Sequence, residues 1–188
     1  HLIGFELNEY DRSVALLAES LKVGNLDKVE ESELKLELAD ILLFRDEIWE
    51  ATLLFSQIEA DLKNEPLGHE AKFRNARLFY YVGEYDWAQA KLDILKSATS
   101  KLIANDAMEL SLFIKDVYDE DTLGFTLKKF GTADLLLYQG NQDSAMYWLE
   151  KIDGDNPGIN TYQYLVFKKA RMMEAKQDYP AADSLYNC

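Results

Sequence analysis

His69 and Glu70 stand side by side in the segment GHEAKFRNARLFYYVGEYDWAQAKLDIL, residues 68–95. On a helix, His-Glu-x-x-His binds zinc: two imidazoles share one face and hold the ion while the glutamate activates water. Position 73 here is Phe73, and the other histidine of the chain is His1. The motif fails, and no metal is expected at His69, which fits better near the start of a helix. DGDNPG, 153–158, has Asp153, Asp155 and Gly158 at the first, third and sixth places of a calcium loop. Pro157 stands where an oxygen ligand is needed, and Tyr164 where a bidentate glutamate closes the site. It reads as a turn between helices. DVYDEDT, 116–122, is acidic without the required glycine, and reads as the end of one helix with Asp121 capping the next.

Other chemistries lack their residues. No glycine-rich phosphate loop, GxSxG or cysteine beside a histidine occurs, and no pair of carboxylates can be singled out among 34 acids. The one cysteine, Cys188, has no internal disulfide partner and cannot help build a cysteine zinc site. The expectation is a protein without catalytic residues, metal or cofactor.

A net charge of −14 disfavours nucleic acid, whose binders present basic surfaces, and is read as solubility. No apolar run reaches the roughly 18–20 residues that span a bilayer, so no membrane insertion is expected from this segment. The sequence opens at His1 and ends inside a helical pattern, as a piece of a longer protein would.

The elements that position these residues are helices. Apolar side chains recur at three and four: Leu34, Leu36, Leu38, Ile41, Leu42 and Phe44, then Ile103, Ala107, Leu110, Ile114 and Val117. Pro66 and Pro157 fall between periodic runs, and Pro180 suits a first helical turn. The pattern predicts helices over 7–22, 29–45, 47–63, 69–82, 85–98, 101–118, 122–139, 142–152, 159–176 and 179–188. Short connections between them imply antiparallel neighbours.

Five windows align: NEYDRSVALL from Asn8, DEIWEATLLF from Asp46, GEYDWAQAKL from Gly83, GNQDSAMYWL from Gly140 and QDYPAADSLY from Gln177. The first place holds residues that tolerate left-handed backbone angles. The sixth is always small: Ser13, Ala51, Ala88, Ala145 and Ala182. The tenth is large and apolar: Leu17, Phe55, Leu92, Leu149 and Tyr186. A small side chain lets two helices approach, and the large one fills the space toward the next unit. The sixth places are 38, 37, 57 and 37 residues apart.

These features resemble the tetratricopeptide repeat family, whose unit is a helix pair. The fullest match is Ala76, Phe79, Gly83, Tyr85, Ala88 and Leu92, followed by Leu38, Ala39, Leu42, Ala51 and Phe55. Ala133, Leu136, Gly140, Ala145, Leu149 and Pro157 form a third, and Ala170, Tyr179, Ala182 and Tyr186 a fourth. The resemblance implies one all-α domain over 1–188, a right-handed superhelix of antiparallel hairpins with units at 1–24, 29–64, 68–98, 122–153 and 158–188. The long interval of 57 exceeds a unit by one helix. A break near 99–121, or a helix packed outside the array, is therefore expected. The segment 66–111 is also similar to long bacterial repeat proteins that are often exported, which leans toward a periplasmic or cell-surface location.

By the same resemblance the first helix of each pair lines a concave, partner-binding groove. The residues carried over include Phe73, Arg77, Tyr80 and Tyr81, then Leu127, Phe130, Asp134, Leu137 and Tyr138, then Tyr164, Phe167, Arg171 and Glu174. With Arg74 beside them, aromatic and guanidinium groups suit a protein or peptide partner. Phe73 departs from the lysine–asparagine clamp that one subgroup uses for terminal carboxylates. The competing expectation pairs the arginines with Glu70 or with acids on adjacent helices and makes the tyrosines core. The rival function is a structural spacer or self-assembly module, with Leu185 and Tyr186 uncovered at the C-terminal end.

Overall fold

The structure, a computed structural model, describes residues 10–97 and 101–187. Cys188, His1 and the outermost ends of three expected helices, with residues 99 and 100 of the expected insert, lie outside the described residues. Within them the chain is all helix, without a strand. Among the described residues the helices are α1 (Tyr10–Ser20), α2 (Lys28–Phe44), α3 (Ile48–Asp61), α4 (Pro66–Val82), α5 (Tyr85–Leu95), α6 (Lys101–Glu120), α7 (Phe125–Tyr138), α8 (Gln142–Gly154), α9 (Ile159–Ala175) and α10 (Tyr179–Tyr186). None of these helices is long and apolar enough to cross a membrane.

Helix ends follow the local chemistry. At α2, the Asp27 carboxylate accepts from the N–H groups of Val29 and Glu30, and Glu30 accepts from the Asp27 N–H, a reciprocal cap worth about 1 kcal/mol. At α10, Asp178 accepts from the Ala181 N–H beside Pro180. The turns preceding the second helices use left-handed residues at the expected places: Asp46, Gly83, Gly140 and Gln177 all have positive φ. Asp121 accepts from the N–H groups of Leu123 and Thr126 across the turn that leads into α7, whose N-cap is Gly124 rather than the expected Asp121.

Two compact units form. The first comprises the described residues through Phe79 together with Asp86–Met108, and the second comprises Tyr80–Tyr85 and the described residues from Glu109 on. In the first unit α1 packs on α2, and α2 on α3. Ala51 and Ala88 are fully buried at the small places, with Phe55 and Leu92 buried one turn on. A polar staple runs through this core. The Asn75 amide donates to Ser56 and Glu59 at 3.1 and 2.9 Å, and Lys91 donates to both oxygens of Glu59 at 2.7 and 2.8 Å.

In the second unit α7 packs on α8, α8 on α9 and α9 on α10. Ala145 and Ala182 occupy the small places and are buried, as are Ala133 and Ala170 on the first helices. Gly131 of α7 lies against backbone at the end of α4. A Cβ there would stand 3.0 Å from the Tyr80 carbonyl oxygen and 3.1 Å from that of Tyr81. That contact needs glycine.

Candidate functional site

The sequence singles out seven residues, and the structure sorts them by their surroundings. In the first unit, Arg74 is ion-paired. Its Nε donates to Glu70 at 2.7 Å and its Nη1 to Asp40 of α2. Burial alone would lower the Arg74 pKa, but the two carboxylates outweigh it and hold the guanidinium firmly charged. Arg74 therefore joins neighbouring first helices. Phe73 and Arg77 are half-buried, with the guanidinium carbon 6.0 Å from the ring centroid.

In the second unit, Tyr80 is core. It is 1% exposed, and its hydroxyl donates to Asp134 at 2.8 Å. Burial first, then the Asp134 carboxylate, pushes its pKa well above the ordinary phenol value. Tyr81, 8% exposed, packs 5.6 Å from the Tyr80 ring. Both tyrosines, expected on the groove, are buried in the structure. Tyr138 ends α7 and is half-buried. Arg171 is the exposed member. Its side chain is 67% accessible, it lies 5.9 Å from the Phe167 ring centroid, and its Nε is ion-paired with Glu174 at 3.5 Å. Phe167 is itself 49% exposed and packs on Tyr186 of α10.

Comparing the two units residue by residue shows an order that the five-window alignment missed. Asp40 pairs with Arg74 and Asp134 with Lys168, each pair 34 residues apart and each joining successive first helices. Phe73 with Arg77 and Phe167 with Arg171 form the same i, i+4 cation–ring pair. Every one of these residues lies 94 positions from its counterpart, as do Ala51 and Ala145, Ala88 and Ala182, Asp46 and Gly140, and Gly83 and Gln177. The signal was present in the intervals 37 and 57, which alternate as one two-hairpin period.

The sequence reading also missed what α6 does. Its second-unit half lies on α7, α9 and the end of α4. The Phe113 ring meets Tyr80, Phe130 and Tyr164 edge-on, at 5.7, 5.2 and 4.9 Å between centroids. Lys168 Nζ sits 5.0 Å from the Phe113 centroid while donating to both Asp134 oxygens at 2.8 Å. Edge-to-face rings and a cation over a ring are favourable because the ring's face is negative and its edge positive. One turn on, Asp116 accepts from the Tyr164 hydroxyl at 2.8 Å. A further turn on, Glu120 accepts from the N–H groups of Asn160 and Thr161 at 2.9 and 3.0 Å, at the start of α9. Those bonds outweigh its partial desolvation and lower the Glu120 pKa. Phe113, Asp116 and Glu120 are spaced to share one flank of the helix.

The motifs weighed for metal chemistry do not converge. Asp153 pairs with Lys169, and Asp155 with Lys129. His69 Nδ1 is buried without a hydrogen-bond partner. No group of three or more potential metal-ligating side chains gathers among the described residues. No family model matches the chain, and comparison with the curated proteins and with the solved structures finds no match.

Proposed function

We propose that the chain is a non-catalytic interaction scaffold: a right-handed solenoid of tetratricopeptide-like hairpins that holds a partner protein or peptide on its first helices. The observation that carries this reading is the repeated cation–ring pair, Phe73 with Arg77 and Phe167 with Arg171, presented by the second of two hairpins in each unit. An arginine lying on an aromatic face offers a flat apolar contact together with donors arranged for a carboxylate, the combination that dominates binding energy at protein interfaces. The test is capture of partners from a lysate by the wild-type chain and by an Arg77→Ala/Arg171→Ala variant of equal helicity. A partner held by the first and released by the second supports the scaffold. Equal capture by both, or none by either, removes it.

The second reading, a structural spacer or self-assembly module, draws on a different observation. Leu127 and Phe130, two of the groove positions, are fully buried, and the Phe130 ring is in contact with Phe113 of the chain's own α6. It predicts no captured partner, and an oligomer that Tyr186→Ser at the C-terminal end disrupts.

A further inference from the structure

The 94-residue order extends to whole helices. Shifted by 94 positions, α1 through α5 fall in order on α6 through α10, and residues 10–20 land inside α6. Helix α6 is thus the leading helix of a second five-helix module, and Ser111, Phe113, Ile114 and Val117 bury it there. In a stacked array each module covers the end of the one before it.

The second unit contains one such joint, because Tyr80–Tyr85, from the end of the first module, belong to it. Gly124, at φ +71, brings the turn before α7 against Tyr85, and a Cβ there would stand 3.4 Å from the ring. Gly131, seven residues on, lies against the Tyr80 and Tyr81 carbonyl oxygens, and Phe113 meets the Tyr80 ring. The Tyr85 hydroxyl is buried without a hydrogen-bond partner, and burial, then Asp121, pushes the phenol up to about 12. The counterparts at the C-terminal end are open. Tyr179, at the place of Tyr85, is 65% exposed, and Tyr186, at the place of the fully buried Leu92, is 44% exposed.

A second copy of this chain does not fit that end. Its leading helices carry Glu19, Glu30 and Glu37 at the places of Phe113, Gly124 and Gly131. Glu174, at the place of Tyr80, meets them with like charge. Side chains at the two glycine places also hold apart the backbones that touch in the existing joint.

We infer that the α9–α10 end is a docking surface for a further module of the same kind, which enters with a helix pair of the α6–α7 pattern. That pattern is two glycines seven residues apart, the first in the turn and the second on the helix, with an uncharged or basic residue at the place of Phe113. Tyr179 takes the part of Tyr85 and is the apolar anchor. The inference goes beyond the scaffold and spacer readings, since it needs neither a groove partner nor an oligomer.

The test extends the full chain in register with a second copy of residues 95–188. Amide exchange in 179–186 should slow by about tenfold or more relative to the unextended chain. An extension carrying Gly131→Glu in its appended copy, and one of flexible glycine–serine sequence, should leave that exchange fast. Equal slowing by all three extensions is an end effect and overturns the proposal, as does no slowing beside an appended copy that is itself protected. If the appended copy does not fold, the decision passes to a synthetic peptide of residues 101–138 added to the wild-type chain. It should slow exchange in 179–186 where a Gly131→Glu peptide does not, and no difference between the two overturns the inference. Protection that grows with the concentration of the unextended chain makes a second copy the occupant and overturns it as well. Arg77 and Arg171 are unchanged throughout, so these outcomes are separate from those of the lysate capture.

Discussion

Glu120, in the last turn of α6, holds the N–H of Thr161 at the start of α9 from 41 residues away, at 3.0 Å. Its partner Asn160 donates to the same carboxylate. The two bonds supply from outside the helix what a neighbouring Ser or Asp does elsewhere, for Gly158 at the cap has no side chain.

This arrangement makes the contact acid-sensitive. The Glu120 carboxyl has a lowered folded pKa, so its stabilisation is present above the ordinary carboxylate value and is lost as pH falls through the folded value. Asp121, lowered by its bonds from Thr126 and Leu123, follows the same sign. Between pH 5 and pH 3 (roughly the range in which carboxylates titrate), the protection of the Asn160 and Thr161 amides relative to their free exchange rates should fall. Glu120→Gln should flatten that dependence.

Gly158→Ala should act on the same contact. A Cβ at Gly158 would run into the Glu120 carboxylate, which as the far end of a flexible side chain can swing away. What is lost is the cap, about 1 kcal/mol. Glu120→Gln and Gly158→Ala should therefore be non-additive in urea unfolding, and full additivity would show that they act separately.

Two other glycines should respond in opposite directions. Gly131→Ala presses a methyl group on the backbone of Tyr80 and Tyr81, which cannot swing aside, and overpacking of that kind costs about 1–3 kcal/mol. Gly154 has open space around its Cβ position, so Gly154→Ala should stabilise by about 0.4–1 kcal/mol through the unfolded chain. Thermal unfolding of the two variants reads both signs.

At high pH the tyrosines set the limit. Burial, then the Asp116 bond, pushes the Tyr164 phenol up to about 12, and Tyr80 is raised for like reasons. The unfolded chain ionises these groups near the ordinary phenol value of about 10. Stability is thus intact below that value and falls as pH rises toward 12. Tyr164→Phe keeps a ring beside Phe113 and removes one titrating group. Its stability should fall less steeply above pH 10.

Much of this architecture was legible because it is local. Pro66, Pro157 and Pro180 placed helix boundaries, and the left-handed turns fell at Asp46, Gly83, Gly140 and Gln177, where the repeat required them. The Arg74–Glu70 pair was legible from i, i+4 spacing. The fate of Tyr80 was not. Its spacing suits either an inner face or a core, and the choice depends on Asp134 and Phe113, which reach it from 54 and 33 positions away in sequence. The sequence marks α6 as an extra helix, yet its position follows from where three other helices bring their aromatic rings.

That position has a consequence for synthesis. A chain made of stacked hairpins can fold as it emerges, each unit settling on the one before. Helix α6 breaks that rule, because Phe113 and Glu120 leave the ribosome before Tyr164 and Asn160 exist. At about 5–20 residues per second, the 40 residues between Glu120 and Asn160 take roughly 2–8 s. For that interval the phenyl group of Phe113 lacks its Tyr164 wall and the lysine that lies against its ring.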